Sequence, residues 1–219
     1  MNIAEFFVSI QGEGPDSGLA CIFIRTAGCN LACTWCDTGY ARQGGRDTVI
    51  REIVERCVAV RKDKGPGLVC LTGGEPMLQP DTPELLERLV SAGFRVSMMT
   101  NGTMDPGAIP AAVRLLVDIK LCLVAVRGGA YPHPAILAGP RDCSRDAMKF
   151  VITDRAAFDL AVAWSNTHGV FERFGTVLVS PAWGILNPSD LADWILESEP
   201  RFRLGLQLHK HIWGPDTRK

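Results

Sequence analysis

Short apolar runs alternate with amphipathic helical stretches along this chain, and that alternation restricts it to a narrow class of folds. Extended segments are expected over 3–10 and 21–25, and again over 68–71, 94–99, 113–119, 148–152, 177–180 and 204–208. Between them the periodicity changes. Ile50, Ile53, Val54, Cys57 and Val58 recur at three- and four-residue spacing up to Lys62, with Asp47 as the expected N-cap. Over 80–92, with Asp81 near the start, Leu85, Leu86, Leu89 and Val90 share one face and Gly93 supplies a C-terminal stop. Further helices are expected over 155–166 and 188–196, and a Gly/Pro-rich connection over 128–140. Strands separated by helices imply right-handed βαβ units and a mostly parallel sheet. About six such strands are too few for a closed eight-stranded barrel, so the expectation is an α/β fold, an open, partial parallel β/α barrel. The 219 residues suffice for one core, and a single domain over 1–219 is expected. No internal repeat, low-complexity tract or linker interrupts it.

With 23 basic and 24 acidic residues spread along the chain, no patch has the charge that a nucleic acid or acidic membrane surface requires. A small-molecule partner is expected instead. The N-terminus lacks a basic region ahead of an apolar stretch, and the most apolar run, 115–126, is interrupted by Asp118 and Lys120. The expected location is therefore cytoplasmic, where eight cysteines remain free thiols. Cys21, Cys57, Cys70, Cys122 and Cys143 stand alone, and Cys57 and Cys70 fall at apolar positions, which reads as small buried hydrophobes.

Cys29, Cys33 and Cys36 are different because they crowd into eight residues. Three soft thiolates on a tight loop after a strand suit zinc or an iron–sulfur cluster. Structural zinc takes four ligands, and no fourth cysteine is close in sequence. Three cysteines on a [4Fe–4S] cluster leave one iron open, able to chelate the amino and carboxylate groups of S-adenosylmethionine (SAM) and deliver an electron to its sulfonium. Thr72-Gly73-Gly74-Glu75-Pro76 follows the next buried strand, where missing side chains let a ligand approach the backbone and Glu75 can accept from a cationic amine.

The triplet, with an aromatic (Trp35) directly before its last cysteine, and the Gly-Gly-Glu-Pro element one βαβ unit later resemble the radical SAM superfamily. A narrower resemblance runs nearly end to end. Ser9-Ile10-Gln11-Gly12-Glu13-Gly14, Cys36-Asp37-Thr38, Thr100-Asn101-Gly102-Thr103 and Gln207-Leu208-His209-Lys210 are similar to the 7-carboxy-7-deazaguanine synthase family. That resemblance implies a Mg²⁺-assisted ring contraction of 6-carboxy-5,6,7,8-tetrahydropterin with loss of ammonia, towards queuosine and other 7-deazapurines. It further implies an external electron donor such as flavodoxin or ferredoxin, and a homodimer.

Carried over residue by residue, the resemblance places Ile10, Gln11, Gly12 and Glu13 along the pterin edge, Arg25 on its carboxylate, and Thr72 and His209 facing the substrate. A guanidinium fork suits carboxylate recognition. Thr38 supplies the Mg²⁺ oxygen. Trp35 and Asp37 lie beside the adenosine of SAM and Gly74 and Glu75 at its methionine end, with Asp118, Lys120 and Ser180 also on SAM. Two departures stand out. Met99 occupies a position where many relatives have glutamate, and Leu121-Cys122-Leu123 replaces the Cys-Pro that often follows Asp-x-Lys. Two other readings stay open at this point: a radical SAM activating enzyme acting on a protein partner, and a non-catalytic zinc module using Cys29, Cys33, Cys36 and one further ligand.

Overall fold

The computed structural model describes residues 1–33, 36–122, 131–198 and 201–214. One sheet of nine strands organises them: β1 (Asn2–Ile10), β2 (Ala20–Thr26), β3 (Arg46–Asp47), β4 (Leu68–Gly73), β5 (Arg95–Thr100), β6 (Arg114–Ile119), β7 (Ala147–Ile152), β8 (Thr176–Pro181) and β9 (Arg203–Leu204). Their spatial order is β3-β1-β2-β4-β5-β6-β7-β8-β9. From β2 to β9 every pairing is parallel, and the sheet stays open, as the strand count implied. The first extended segment departs from that pattern: β1 runs antiparallel to both β2 and β3.

The connecting helices are α1 (Ile50–Lys62), α2 (Thr82–Ser91), α3 (Pro134–Ala138), α4 (Arg155–Thr167), α5 (Val170–Arg173) and α6 (Pro188–Glu197). Asp47 is not the cap of α1. It pairs in β3 and meets the N-terminal ammonium at 3.2 Å, while Val49 holds the N-cap position. Asp154 does cap α4, accepting from the Ala157 N–H at 2.8 Å, and Asn187 caps α6 in the same way through Ser189. The last expected strand is corrected more strongly. Only Arg203 and Leu204 pair with β8, and Leu208–Trp213 is a helix, α7. Period-two apolar residues in so short a run do not distinguish the two, because the segment turns inward across the sheet end.

Alternation along the strands separates the two faces of the sheet. Ile22 and Ile24 on β2, Val69 and Leu71 on β4, Leu115 and Val117 on β6, and Phe150 on β7 join Ile53, Leu85, Leu86, Leu89, Phe158 and Leu191 in the main core beneath the helices. Each such side chain contributes about 1.5–3 kcal/mol by leaving water. The opposite, concave face has an apolar floor: Cys21, Phe23, Leu68 and Cys70 on one side, Leu116, Ala147 and Leu178 on the other. Met99 packs against both groups and joins them, so its thioether extends the floor. Among the described residues no helix is long and apolar enough to cross a membrane.

Candidate active site

The polar residues of the concave face sit one rung above that floor. On β2, Cys21 and Phe23 are followed on the same face by Arg25; on β4, Leu68 and Cys70 by Thr72; on β6, Leu116 by Asp118; on β7, Ala147 by Lys149; and on β8, Leu178 by Ser180. In parallel βα folds this end of the strands is where ligands bind. After β1 the chain crosses under the chamber. Gln11 is buried, and its Oε1 accepts from the Glu13 N–H at 3.2 Å. Beyond it, Asp16 anchors the crossing on Arg95 and Arg114 at the starts of β5 and β6.

The cysteine loop begins where β2 ends. The Gly28 N–H donates to the Ala41 carbonyl at 2.8 Å, and the Glu75 N–H donates to the Gly28 carbonyl at 2.8 Å. Gly74 makes this approach possible, since a Cβ there would overlap the Gly28 carbonyl. Glu75 itself is fully buried. Its carboxylate accepts from the Met77 N–H at 3.0 Å, the Thr100 hydroxyl at 2.9 Å and the Asn101 N–H at 2.6 Å, so it fastens the end of β4 to that of β5. Burial pushes its pKa up, against these donors. Three of its acceptor sites are taken in this way, and the Gly-Gly-Glu turn also presents backbone to a ligand.

Cys29, Cys33 and Cys36 are free thiols, none of them buried. The Cys29 Sγ accepts from the Leu31 N–H at 3.4 Å, and Arg42 holds the Cys33 carbonyl at 3.0 Å. Among the described residues no three Cys, His, Asp or Glu side chains gather tightly enough for one metal ion. A cluster spreads its thiolates more widely than one zinc does, and three accessible thiols on a pinned loop fit it. Burial raises the Cys33 thiol, opposed by Lys120 and reinforced by Cys122 and Cys36. Cys122 therefore lies within electrostatic reach of the triplet, a proximity that spacing in the sequence hides. The isolated thiols behave differently: burial lifts Cys57 to about 12 and Cys70 to about 11, which leaves them protonated.

Around the chamber, charges alternate. Lys120 Nζ meets Asp118 Oδ2 at 2.9 Å; Lys149 Nζ meets the same oxygen at 3.4 Å and Glu13 Oε2 at 2.7 Å. Gln207 Nε2 donates to Glu13 Oε1 at 2.7 Å and to Asp37 Oδ2 at 3.2 Å, and Lys210 Nζ reaches Asp37 Oδ2 at 2.9 Å. Burial works against the Asp37 carboxylate, but Lys210 and the Thr38 hydroxyl hold it well below the usual range. Burial likewise opposes the ammonium of Lys149, and Asp118 and Glu13 outweigh it, so its pKa lies above the ordinary lysine value. Gln207 also lines an adjoining pocket of about 400 Å³ bordered by Pro181, Trp183, Leu206 and His211.

Arg25 is partly occupied. Its Nε donates to Glu5 Oε2 at 2.7 Å, directly across the β1–β2 ladder, and Tyr40 donates to the same oxygen at 2.8 Å. Its Nη1 donates to Thr38 Oγ1 at 3.4 Å, and the Thr38 hydroxyl donates to Asp37 Oδ1 at 2.9 Å. Thr72 pairs with Arg25 in the β2–β4 register and is buried. The structure thus gathers Gln11, Gly12, Glu13, Arg25, Asp37, Thr38, Thr72, Asp118, Lys120 and His209 around one chamber. Ile10 lies at the end of β1, and Ser180 lines the β8 wall without a hydrogen bond to Asp118 or Lys120 among the described residues. Trp35 lies outside the described residues, as does Leu123 in the departing segment. Sequence reasoning missed Glu5 and Lys149, and it noted Gln207 and Lys210 only as part of a motif, with no role in the site. For Lys149 a signal existed, a lone charge within the apolar strand Ala147–Ile152.

A three-cysteine loop at the end of the first parallel strand of an open β/α barrel defines a radical SAM domain, and residues 23–127 match the family model described as the Radical SAM superfamily. The chain is 38% identical over 231 residues to the 7-carboxy-7-deazaguanine synthase of Koribacter versatilis (strain Ellin345), covering 100% of this chain and 99% of that protein. It is 37% identical over 216 residues to the 7-carboxy-7-deazaguanine synthase of Methanospirillum hungatei JF-1, covering 98% and 86%. The crystal structure of QueE from Escherichia coli shares the fold, with a TM-score of 0.73 at 23% identity over 94% of this chain and 93% of that one. The chain belongs to the 7-carboxy-7-deazaguanine synthase family. A [4Fe–4S] cluster and SAM are the cofactors of this class, with a small-molecule substrate and an electron donor.

Proposed function

We propose that this chain converts 6-carboxy-5,6,7,8-tetrahydropterin to 7-carboxy-7-deazaguanine with loss of ammonia, on the route to queuosine and other 7-deazapurines. The chamber carries the reading: Glu13 meets Lys149 and Gln207, His209 lies against Gly12, and Arg25 stands beside Thr72, above an apolar floor beside the cysteine loop. A flat, polar-edged heterocycle suits such a site, with its faces on apolar side chains and its rim on a few fixed donors and acceptors.

Ile10, Gln11, Gly12 and Glu13 take the pterin edge, largely through backbone groups. Arg25 turns its Nη2 donors to the carboxylate while Glu5 and Tyr40 hold the guanidinium plane from behind. Thr72 and His209 complete the substrate side. Cys29, Cys33 and Cys36 hold the cluster, which when bound supplies the open iron and the electron for SAM. Asp37 and Trp35 serve the adenosine, and Gly74 and Glu75 the methionine end, on a turn that the Glu75 carboxylate also fastens. Asp118, Lys120 and Ser180 complete that side. Thr38, a half-buried hydroxyl beside the Asp37 carboxylate, fits a Mg²⁺ that takes one protein oxygen and the rest from water and substrate. There the ion would orient the ring and stabilise developing charge.

Eight free thiols and the absence of a long apolar helix among the described residues support a cytoplasmic location. One continuous sheet supports a single domain over 1–219. Flavodoxin or ferredoxin as donor and a homodimeric state follow from the family resemblance. The test is anaerobic incubation of the reconstituted protein with the pterin, SAM, Mg²⁺ and a reductant. Appearance of 7-carboxy-7-deazaguanine is expected; SAM cleavage with the pterin untouched would return the chain to radical SAM enzymes of another substrate.

A further inference from the structure

We propose that Lys149 is a positioning residue that sets the substrate side and the SAM side of the chamber together, resting on the reading above that Glu13 meets the pterin and Asp118 meets SAM. Its ammonium is almost fully buried and lies between the two carboxylates, 2.7 Å from Glu13 Oε2 and 3.4 Å from Asp118 Oδ2. Each carboxylate is then oriented by a second group: Gln207 takes Glu13 Oε1 at 2.7 Å, and Lys120 shares Asp118 Oδ2 at 2.9 Å. The remaining oxygen, Asp118 Oδ1, is buried with no hydrogen-bond partner. Buried acceptors are ordinarily satisfied, so an oriented, orphaned oxygen at the rim of a ligand chamber is one kept for a ligand donor.

A buried ion pair is a poor source of stability, since apolar side chains of similar volume usually replace it without loss. What one ammonium between two carboxylates does supply is a fixed relation between them. Glu13 arrives on the segment crossing beneath the chamber and Asp118 on β6; Asp16 and Arg114 tie those two elements at the start of β6, and Lys149 on β7 joins them at the chamber end. Without it Glu13 is left with Gln207 and Asp118 with Lys120, and the fixed relation between the two carboxylates is lost.

The experiment uses the anaerobically reconstituted holoprotein carrying Lys149→Met. With iron and sulfide content unchanged, the SAM dissociation constant from equilibrium dialysis and the pterin KM should each rise tenfold or more, while the stranded carboxylates lower the melting temperature. An unchanged SAM dissociation constant, whether or not the protein melts earlier, overturns the proposal and leaves Lys149 a structural pin. Should Lys149→Met not fold, Lys149→Met/Glu13→Gln removes one stranded carboxylate and carries the SAM arm alone, with the same tenfold rise expected and the same unchanged constant overturning it. A wild-type protein that binds SAM but leaves the pterin unreacted overturns the proposed substrate, while the SAM arm still decides the role of Lys149.

Discussion

The backbone of Gly12 lies directly against the imidazole of His209, closely enough that a Cβ on residue 12 would overlap Nδ1, and the Leu208 N–H donates to the Gly12 carbonyl at 3.1 Å. Opposite ends of the chain are thereby fitted to each other inside the chamber. In Gly12→Ala the added methyl must displace the ring or all of α7. Overpacking of this kind costs roughly 1–3 kcal/mol. The expected outcome is a lower melting temperature and a pterin KM raised about tenfold, with cluster content intact; an unchanged KM would show that His209 is not seated against the substrate.

The triplet and the isolated thiols should separate cleanly. Cys33→Ala, or either equivalent at 29 or 36, removes one of the three cluster ligands, so the iron–sulfur absorbance and SAM cleavage should both disappear. Cys57 is fully buried in the core under the helices, and Cys57→Ala should keep both. Its cost is confined to stability, on the order of 1 kcal/mol for a small apolar deletion. Full cluster loading in Cys33→Ala would sink the assignment.

Much of this architecture was written in local pattern, and the exceptions have physical causes. The helices over 50–62, 82–91 and 155–167 and the six long parallel strands follow from periodicity, because each element buries one face against the same core. Strand direction at β1 was not legible, since an antiparallel edge strand carries the same apolar composition as a parallel one. Residues 205–208 misled the reading, because Leu206 and Leu208 look like strand residues where the chain has left the sheet and Leu208 opens a helix. For the site, the cysteine loop, Gln11-Gly12-Glu13 and Arg25 stood out. Lys149 did not, and Gln207 and Lys210 stood in a recognised motif without a role, since their importance lies in ion pairs and hydrogen bonds between residues far apart in sequence. Glu75 was noticed as an acceptor for a ligand, and only the fold shows its oxygens committed to Met77, Thr100 and Asn101.

His209 gives the chamber a pH dependence with a definite sign. Burial disfavours its protonation more than Glu13 and Asp37 favour it, and Lys210 and Lys149 add to the effect, so its folded pKa lies below the usual 6.5. The unfolded chain then binds the proton first as pH falls. Stability from this group is present above pH 6.5 and is lost as pH falls through the folded value. Melting of the cluster-free protein should therefore weaken below that point, and the decline should be shallower in His209→Gln. Superimposable pH profiles for the two proteins would show the ring to be solvated.

Arg25→Lys keeps the charge and discards the fork. A lysine cannot hold Glu5 at Nε while presenting a second pair of donors, so the pterin carboxylate loses a charge-assisted contact on the order of 1–3 kcal/mol. Pterin KM should rise by about one to two orders of magnitude, with SAM affinity unaffected. Glu5→Gln tests the support of the same plane and should produce a smaller rise, because Nε keeps a neutral acceptor. Equal KM values in all three proteins would count against the carboxylate role.

Thr38 tests the metal. Its hydroxyl donates to Asp37 Oδ1 at 2.9 Å and accepts from Arg25 Nη1 at 3.4 Å, so it stands between an anion that would welcome Mg²⁺ and a cation that would oppose it. Mg²⁺ accepts an arrangement with one protein oxygen because it parts reluctantly with its waters and fills its other positions from them or from substrate. Thr38→Ala removes the oxygen, and Thr38→Val removes it while keeping the β-branched shape, which separates coordination from packing. Thr38→Ser keeps the oxygen and loses only a methyl. In chelator-treated anaerobic buffer, turnover against Mg²⁺ concentration should shift to higher metal in the alanine and valine variants and stay near wild type in serine, all three retaining the cluster absorbance. A shift in serine equal to that in valine would assign the effect to the missing methyl, and four superimposed curves would leave Thr38 a turn residue whose hydroxyl only anchors Asp37.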